Sequence, residues 1–200
     1  MKWHVLLVIC GAGASFDAVP KANVRPPLAG ELFQDRPDFL EILRERPAAR
    51  SVVQRLRAVA PTGGAVEEVL GEFMSRAGTN GDPAYKRDAI GLRFYLKDVV
   101  EGSASAAEND VASITNYLSL VTQIHDALGP DVAYVSFNYD TMLENALNSR
   151  FGVAIGKDLG SYLSGPVQVF KPHGSVNGFR SFLRYDRHRK TSVIRNDLPC

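Results

Sequence analysis

The stretch that decides the fold runs from Val5 to Asp17 and has the sequence VLLVICGAGASFD. Its first six residues are apolar, which is typical of a parallel strand that is buried on both faces. The glycines that follow let the backbone turn tightly and approach a ligand closely, with N–H groups free to bind an anion. The stretch therefore predicts a strand, a glycine-rich turn and the start of a helix.

The glycine motif departs from the dinucleotide-binding fingerprint. Phe16 stands where the third glycine of that fingerprint is expected, and no acidic residue ends a second strand about 20 residues later. Glu31 lies near that distance, but the surrounding Leu28–Phe33 is predicted to be helical. On spacing alone, a nucleotide-binding loop and a plain strand-to-helix turn remain equally open.

Two later strands are also predicted to end in polar or glycine-containing segments. Val132–Phe137 is followed by NYD (138–140), and Val167–Lys171 is followed by PHGS (172–175). The carboxyl ends of the strands form the ligand crevice of an open α/β sheet. We therefore expect the GAGAS, NYD and HGS segments to meet in one crevice, although each could also be a simple turn.

Residues 36–129 have the apolar spacing of helices almost throughout. The clearest helix is predicted from Asp110 to Leu128, with a stop at the following Gly-Pro pair. His125 lies near its C-terminus, where a structural histidine is expected rather than a catalytic one. After the NYD segment, Thr141 and Glu144 have the spacing of a capping box, which predicts another helix start.

Composition excludes several classes of protein. The chain has 200 residues, of which 45% are hydrophobic and 22% are charged, so it is neither disordered nor fibrous. The net charge of +1 provides no strong field for nucleic acid or an anionic membrane, and the basic block Phe179–Arg195 is expected to be a solvated face.

Cys10 and Cys200 cannot form a disulfide framework or a zinc site. No apolar run approaches the roughly 20 residues of a membrane span, and we expect a cytoplasmic protein without a metal.

Four segments together carry a family resemblance. They are VICGAGASFD (8–17), PPLAGELF (26–33), VSFNYDTMLENAL (135–147) and KPHGSVNG (171–178). In order and spacing, they resemble the sirtuin family, and more specifically the sirtuin-like domains of bacterial antiphage defence proteins. The resemblance implies an α/β fold with a Rossmann-like parallel sheet. It implies one domain over residues 1–200, with a core at 1–35 and 130–200 and a large helical insertion at about 36–129.

The resemblance also implies an activity, namely hydrolysis of NAD+ to nicotinamide and ADP-ribose, used in antiphage defence to deplete NAD+. Deacetylating sirtuins carry a paired-cysteine zinc module and an Asp-Phe-Arg sequence after the first motif, and this chain has neither. Both differences favour NAD+ hydrolysis over protein deacylation. The reaction passes through an oxocarbenium-like transition state, which requires an oriented substrate and a base near the ribose hydroxyls or water.

The candidate catalytic residues are Asn138 and His173. An imidazole titrates near neutral pH and can act as the base, while an amide can orient water or hold a ribose hydroxyl. The candidate NAD+-binding residues are Gly11, Ala12, Gly13, Ala14, Ser15, Asp17, Asp140 and Ser175. Asp140 and Ser175 could instead only order their turns. Asp17 is assigned by resemblance, one turn into a helix where an acid favours the helix dipole.

The chain stops at Cys200, before the further strands that follow the histidine segment in the family. We therefore expect an incomplete sheet that drives association, as a homo-oligomer or with another chain of a defence system, unless Phe179–Arg195 folds back on the sheet. The same feature keeps a second hypothesis open, a non-catalytic module that binds NAD+ or ADP-ribose in a larger assembly. A protein deacylase is the least favoured alternative, and neither membrane nor nucleic acid is an expected partner.

Overall fold

The computed structural model describes residues 5–59, 65–78, 82–129, 131–158, 160–163 and 166–176. The basic block Phe179–Arg195 and Cys200 lie outside these residues. In chain order, the elements of the described part are β1 (Leu6–Cys10), α1 (Ala12–Asp17), α2 (Pro37–Glu45), α3 (Arg50–Val59), α4 (Ala65–Arg76), α5 (Pro83–Asp110), α6 (Asn116–Leu128), β2 (Val132–Ser136), α7 (Met142–Phe151) and β3 (Gln168–Phe170).

The three strands form one parallel sheet in the order β1-β2-β3. In its register, Leu6 lies beside Val132, and Ala133 lies beside Gln168. Helix α7 is the crossover between β2 and β3, as parallel neighbours require. The chain is thus an α/β protein with a parallel sheet, as the sequence predicts. Both later strands are shorter than predicted, because β2 ends at Ser136 and β3 comprises only Gln168–Phe170.

The main core packs against one face of this sheet. Tyr134 and Val169 point into it and are fully buried, together with residues of α5, α6 and α7. On the opposite face, Leu7, Ile9 and Phe170 are exposed within the described part of the chain. The sequence predicts β1 to be covered on both faces, but among the described residues only one face is covered.

A second core lies away from the sheet, among α2, α3, α4 and the first half of α5. Phe39, Leu56 and Tyr95 are fully buried there. Helix α5 joins the two cores, since its later residues Ala104 and Ala107 belong to the core beside the sheet. The described residues between 36 and 129 are therefore helices and short connections, as their apolar spacing predicts. None of the helices in the described ranges is long and apolar enough to cross a membrane.

Two helical predictions are confirmed only in part. The helix predicted from Asp110 to Leu128 is interrupted, because Ala112 and Ser113 have positive φ angles of 49° and 63°, and α6 begins only at Asn116. The hydroxyl of Thr115 caps that start by accepting from the Leu118 N–H at 3.2 Å. The segment Leu28–Phe33 is not an α-helix either; it contains a short 3-10 turn at Ala29–Glu31.

His125 has the structural role that its place in the sequence predicts. Its Nδ1 lies 2.8 Å from the carbonyl oxygen of Gly129, at the end of α6. Its ring packs edge-on against Phe151, with 4.7 Å between the ring centroids. The side chain is buried and closes the C-terminal end of the helix.

Candidate functional site

The ends of all three strands meet, as the sequence predicts. The Asn138 amide nitrogen, just beyond β2, donates to the Gly11 carbonyl beyond β1 at 2.8 Å. The Val176 N–H, beyond β3, donates to the Tyr139 carbonyl at 2.9 Å. The GAGAS, NYD and HGS segments therefore lie next to one another at the carboxyl edge of the sheet.

Asn138 is the centre of a buried hydrogen-bond network. Its Nδ2 lies 2.8 Å from the Gly11 carbonyl, 2.7 Å from the Ser15 hydroxyl and 3.2 Å from the Tyr117 hydroxyl. Two amide hydrogens are shared among these three acceptors. The nitrogen thus binds the protein itself, and any contact of this side chain with a ligand falls to the carbonyl oxygen Oδ1.

Tyr117 belongs to the site, although no motif in the sequence predicts it. It reaches the network from α6, and its hydroxyl lies 3.1 Å from the Ser15 hydroxyl. Burial raises the pKa of Tyr117 well above its ordinary value, so the phenol stays neutral. The signal that could have found it is its spacing, since it stands four residues before Val121 on the buried stripe of this helix.

The glycine-rich turn is open to solvent. Gly11, Ala12 and Gly13 are exposed, while Ala14 is half-buried and Ser15 is buried with its hydroxyl in the Asn138 network. Gly11 has extended backbone with a φ of −119°, and a Cβ added to Gly13 would meet no other atom within 4 Å. The fold itself therefore does not demand a glycine at position 13. The missing side chain leaves the backbone free to be approached from outside.

The interpretation of Asp17 as an acid near the helix N-terminus is wrong. Helix α1 has only six residues, and Asp17 is the last of them. The side chain is exposed at the C-terminal end of the helix, where the dipole disfavours an acid. The backbone carbonyl of Asp17 instead accepts from the side-chain amide of Asn116 at 2.8 Å, which fixes the start of α6.

Asp140 caps α7 in place of the predicted capping box. Its Oδ1 accepts from the Met142 N–H at 3.0 Å, whereas Thr141 makes no side-chain cap bond. The capping-box prediction is therefore wrong, because the Thr141 side chain makes no cap bond and the Glu144 carboxylate is buried against Lys171. The carboxylate of Asp140 orders its turn, one of the two roles that the sequence leaves open for it.

Lys171 and Glu144 form a buried ion pair beneath the site. Lys171 Nζ lies 2.7 Å from Glu144 Oε1, and the two side chains are 4% and 1% exposed. Lys171 Nζ also donates to the backbone carbonyl of Asp140, and the Tyr162 hydroxyl donates to Glu144 Oε1 at 3.1 Å. Burial raises the pKa of Glu144, and the charge of Lys171 opposes that rise.

His173 lies on the exposed side of the site. Its ring centroid is 5.3 Å from that of Phe137 and 6.3 Å from that of Tyr139, both from the segment after β2. The imidazole is exposed, so it is open to a ligand at the strand ends. Ser175, two residues later, is half-buried.

A further acid lies near the site on α5. Glu108 accepts from the side-chain amide of Asn145 at 2.8 Å. Burial is the main reason that the pKa of Glu108 is raised to about 6, and the charges of Asp140 and Glu144 add to that rise.

The Cys10 thiol, at the end of β1, is buried as predicted, and burial raises its pKa too. In the described ranges, no cluster of three histidine, cysteine or acidic side chains could hold a metal ion.

A cavity of about 730 Å³ lies elsewhere, between α5, the start of α2 and residues 23–25. Arg25, Arg36 and Ser103 are among its lining residues, but none of the predicted site residues is. The predicted site residues at the strand ends therefore lie apart from this cavity.

The chain was compared with protein-family models, with curated proteins and with solved structures. None of the three comparisons finds a match. The geometry of the strand ends is therefore the basis for any functional assignment.

Proposed function

We propose that the strand-end site binds NAD+ and hydrolyses its nicotinamide–ribose bond, releasing nicotinamide and ADP-ribose. We also propose that the sheet and its neighbouring helices form a Rossmann-like core. The proposal includes a role in antiphage defence through NAD+ depletion in the cytoplasm, as a homo-oligomer or with another chain of a defence system. The observation that carries the proposal is the hydrogen bond from Asn138 to the Gly11 carbonyl, since it joins two of the resembling motifs in one site.

The open glycine-rich turn supports the binding of a diphosphate. Backbone at Gly11–Gly13 is exposed, and the space where a Gly13 Cβ would stand is empty. Backbone N–H groups in such a turn bind phosphate oxygens well, because no side chain keeps the anion away. In this proposal the turn holds the pyrophosphate, and the neighbouring polar segments hold the riboses.

The exposed imidazole of His173 supports a catalytic reaction at the same edge. We assign His173 as the base that accepts a proton from a ribose hydroxyl or from water. Asn138 orients the same group through its carbonyl oxygen, because its nitrogen is bonded within the protein. Phe137 and Tyr139 beside His173 limit the directions from which the substrate can reach the imidazole.

A second candidate function is a binding module that holds NAD+ or ADP-ribose without cleaving it. The observation that favours it is the inward use of two polar groups, since the Ser15 hydroxyl and the Asn138 amide nitrogen bond to each other at 2.7 Å. In this alternative, the two groups stabilise the glycine-rich turn and take no part in the cleavage of NAD+. Protein deacylation is the third alternative, and it lacks a specific supporting observation.

One assay separates the three functions. The purified 200-residue chain is incubated with NAD+, and nicotinamide release is followed by chromatography, with and without an acetylated peptide. Hydrolysis predicts release that does not depend on the peptide, and deacylation predicts release only with it. Calorimetry that detects NAD+ binding without release would support the binding module, and absence of both binding and release would contradict the proposed site.

A further inference from the structure

The side chain of Lys171 is buried, and no step of the proposed reaction uses it. Its ammonium group contacts the carboxylate of Glu144 on α7 and the backbone carbonyl of Asp140. Lys171 follows β3 directly and stands two residues before His173. One buried cation therefore joins β3, α7 and the NYD segment at the point where the histidine turn begins.

The far end of the histidine turn is also fastened. The Val176 N–H donates to the Tyr139 carbonyl at 2.9 Å, and the Gly174 N–H donates back to the Lys171 carbonyl at 2.9 Å. Gly174 has a φ of 84°, a conformation that glycine adopts without strain. The turn over 171–176 is thus held at both ends against the segment that carries Asn138, and His173 lies between the two attachments.

Stability alone is a poor explanation for a buried ion pair. Apolar side chains of similar volume stabilise a core as well or better, since burying two charges loses their hydration. What the ammonium adds is direction, because its N–H groups must point at particular acceptors. Here the acceptors are the Glu144 carboxylate and the Asp140 carbonyl, next to the residues assigned to the reaction.

We propose that Lys171 is a positioning residue, which Glu144 neutralises and orients, and that it sets the place of His173 relative to Asn138. The inference rests on the proposed function for its catalytic consequence, but the placement of His173 is a property of the chain itself. The Tyr162 hydroxyl, which donates to Glu144 Oε1, completes the arrangement by holding the carboxylate from the other side. Loss of the pair should misplace the imidazole while leaving the glycine-rich turn in place.

The test uses the full chain with Lys171→Met/Glu144→Gln, which removes both charges and leaves an acceptor for Tyr162. The matched control is Arg150→Met/Asp126→Asn, which removes an exposed ion pair of 2.8 Å between α7 and α6. We expect the first variant to fold, to bind NAD+ within about threefold of wild type and to lose kcat by about 10- to 100-fold at nearly unchanged KM. The control should keep both values.

Proton NMR of the histidine ring gives a second measurement that does not depend on turnover. The His173 signal is assigned by its loss in His173→Ala, and its contacts with the Phe137 ring are measured. We expect these contacts to weaken in Lys171→Met/Glu144→Gln and to return in Lys171→Arg/Glu144→Asp, which restores a cation and an acid. If wild type releases no nicotinamide, the proposed function fails, but this measurement still tests the positioning.

Two results would overturn the inference. The first is a folded Lys171→Met/Glu144→Gln variant that keeps the wild-type ring contacts of His173. The second is that neither Lys171→Met/Glu144→Gln nor Lys171→Arg/Glu144→Asp folds. The ion pair would then stabilise the core as a whole and would not specifically position the histidine turn.

Discussion

The side-chain amide of Asn138 donates to the backbone carbonyl of Gly11 at 2.8 Å, although 127 positions separate the two residues in the sequence. The bond spans the sheet from the end of β2 to the end of β1. The Gly11 carbonyl also accepts from the Ala14 N–H at 2.8 Å. Because the Asn138 side chain is buried and an unpaired buried amide is costly, its bond to Gly11 fixes the glycine-rich turn as well as its own segment. A change at Asn138 should therefore affect both the stability of the fold and the binding of a ligand.

Replacement of Asn138 by Asp should destabilise the fold in a pH-dependent way. The nitrogen that donates to Gly11, Ser15 and Tyr117 becomes an oxygen, and above its pKa the carboxylate repels the Gly11 carbonyl. We expect a loss of about 2–4 kcal/mol in the free energy of unfolding at pH 7 and a smaller loss near pH 4, where the acid is protonated. Urea unfolding at the two pH values measures it. Asn109→Asp at an exposed position is the control, and equal losses in both variants would contradict the network.

Gly13→Ala should separate folding from ligand binding. Apart from its chain neighbours and the backbone of its own helix, the added methyl group has no atom within 4 Å, and alanine favours a helix over glycine by about 0.5–1 kcal/mol. We expect unchanged or raised stability together with NAD+ affinity lowered about tenfold or more, since the methyl group stands where the pyrophosphate approaches. The control is Gly71→Ala, at an exposed and equally open position in α4. Calorimetry that gives wild-type affinity for a folded Gly13→Ala would refute the assigned role of the turn.

Asp140 and Thr141 should differ in their effect on α7. Asp140→Ala removes the side chain that accepts from the Met142 N–H, so we expect a loss of about 1 kcal/mol or more in the free energy of unfolding. Thr141→Ala removes a side chain that makes no cap bond and should change stability by less than about 0.5 kcal/mol. Thermal unfolding of both variants decides the point. A larger loss in Thr141→Ala than in Asp140→Ala would contradict the capping role of Asp140 and would support the capping box that the sequence predicts.

Glu108 gives the wild-type chain a measurable pH dependence. Its pKa is about 6 in the fold, above the ordinary 4.5, so the folded state holds the proton more tightly than the unfolded state. Its contribution to stability is therefore largest below the unfolded pKa and is lost as pH rises through about 6. We expect Glu108→Gln, which keeps the acceptor for Asn145, to be more stable than wild type at pH 7 by at most about 1 kcal/mol after solvent screening, and equal to it near pH 4. Urea titrations at both pH values measure the difference in the free energy of unfolding between Glu108→Gln and wild type. The same difference at pH 7 and at pH 4 would contradict the raised pKa of Glu108.

The sequence predicts the strands and the meeting of their ends, because apolar runs followed by polar residues are local patterns that parallel sheets share. It does not predict the inner partners of these ends. Tyr117 reaches Asn138 from a helix 21 residues away, and Lys171 reaches Glu144 across 27 residues. Such contacts depend on how α6 and α7 pack, which no local spacing encodes.

The errors at helix ends have a physical origin as well. At 110–128 the apolar spacing continues through Val111 and Ile114, yet Ile114 is 73% exposed and the backbone turns there. At 140–144 two residues could cap the same helix start, and the aspartate accepts from the Met142 N–H. Apolar spacing and capping motifs therefore indicate that a helix is present, but tertiary packing decides where it begins and which residue caps it.

The most direct test of the account is nicotinamide release from NAD+ by wild type, His173→Ala and His188→Ala, a histidine to which the proposal assigns no role. The account predicts release by wild type and by His188→Ala, and a loss of about 10²- to 10⁴-fold in His173→Ala with the fold intact by circular dichroism. Wild-type turnover in a folded His173→Ala would contradict it.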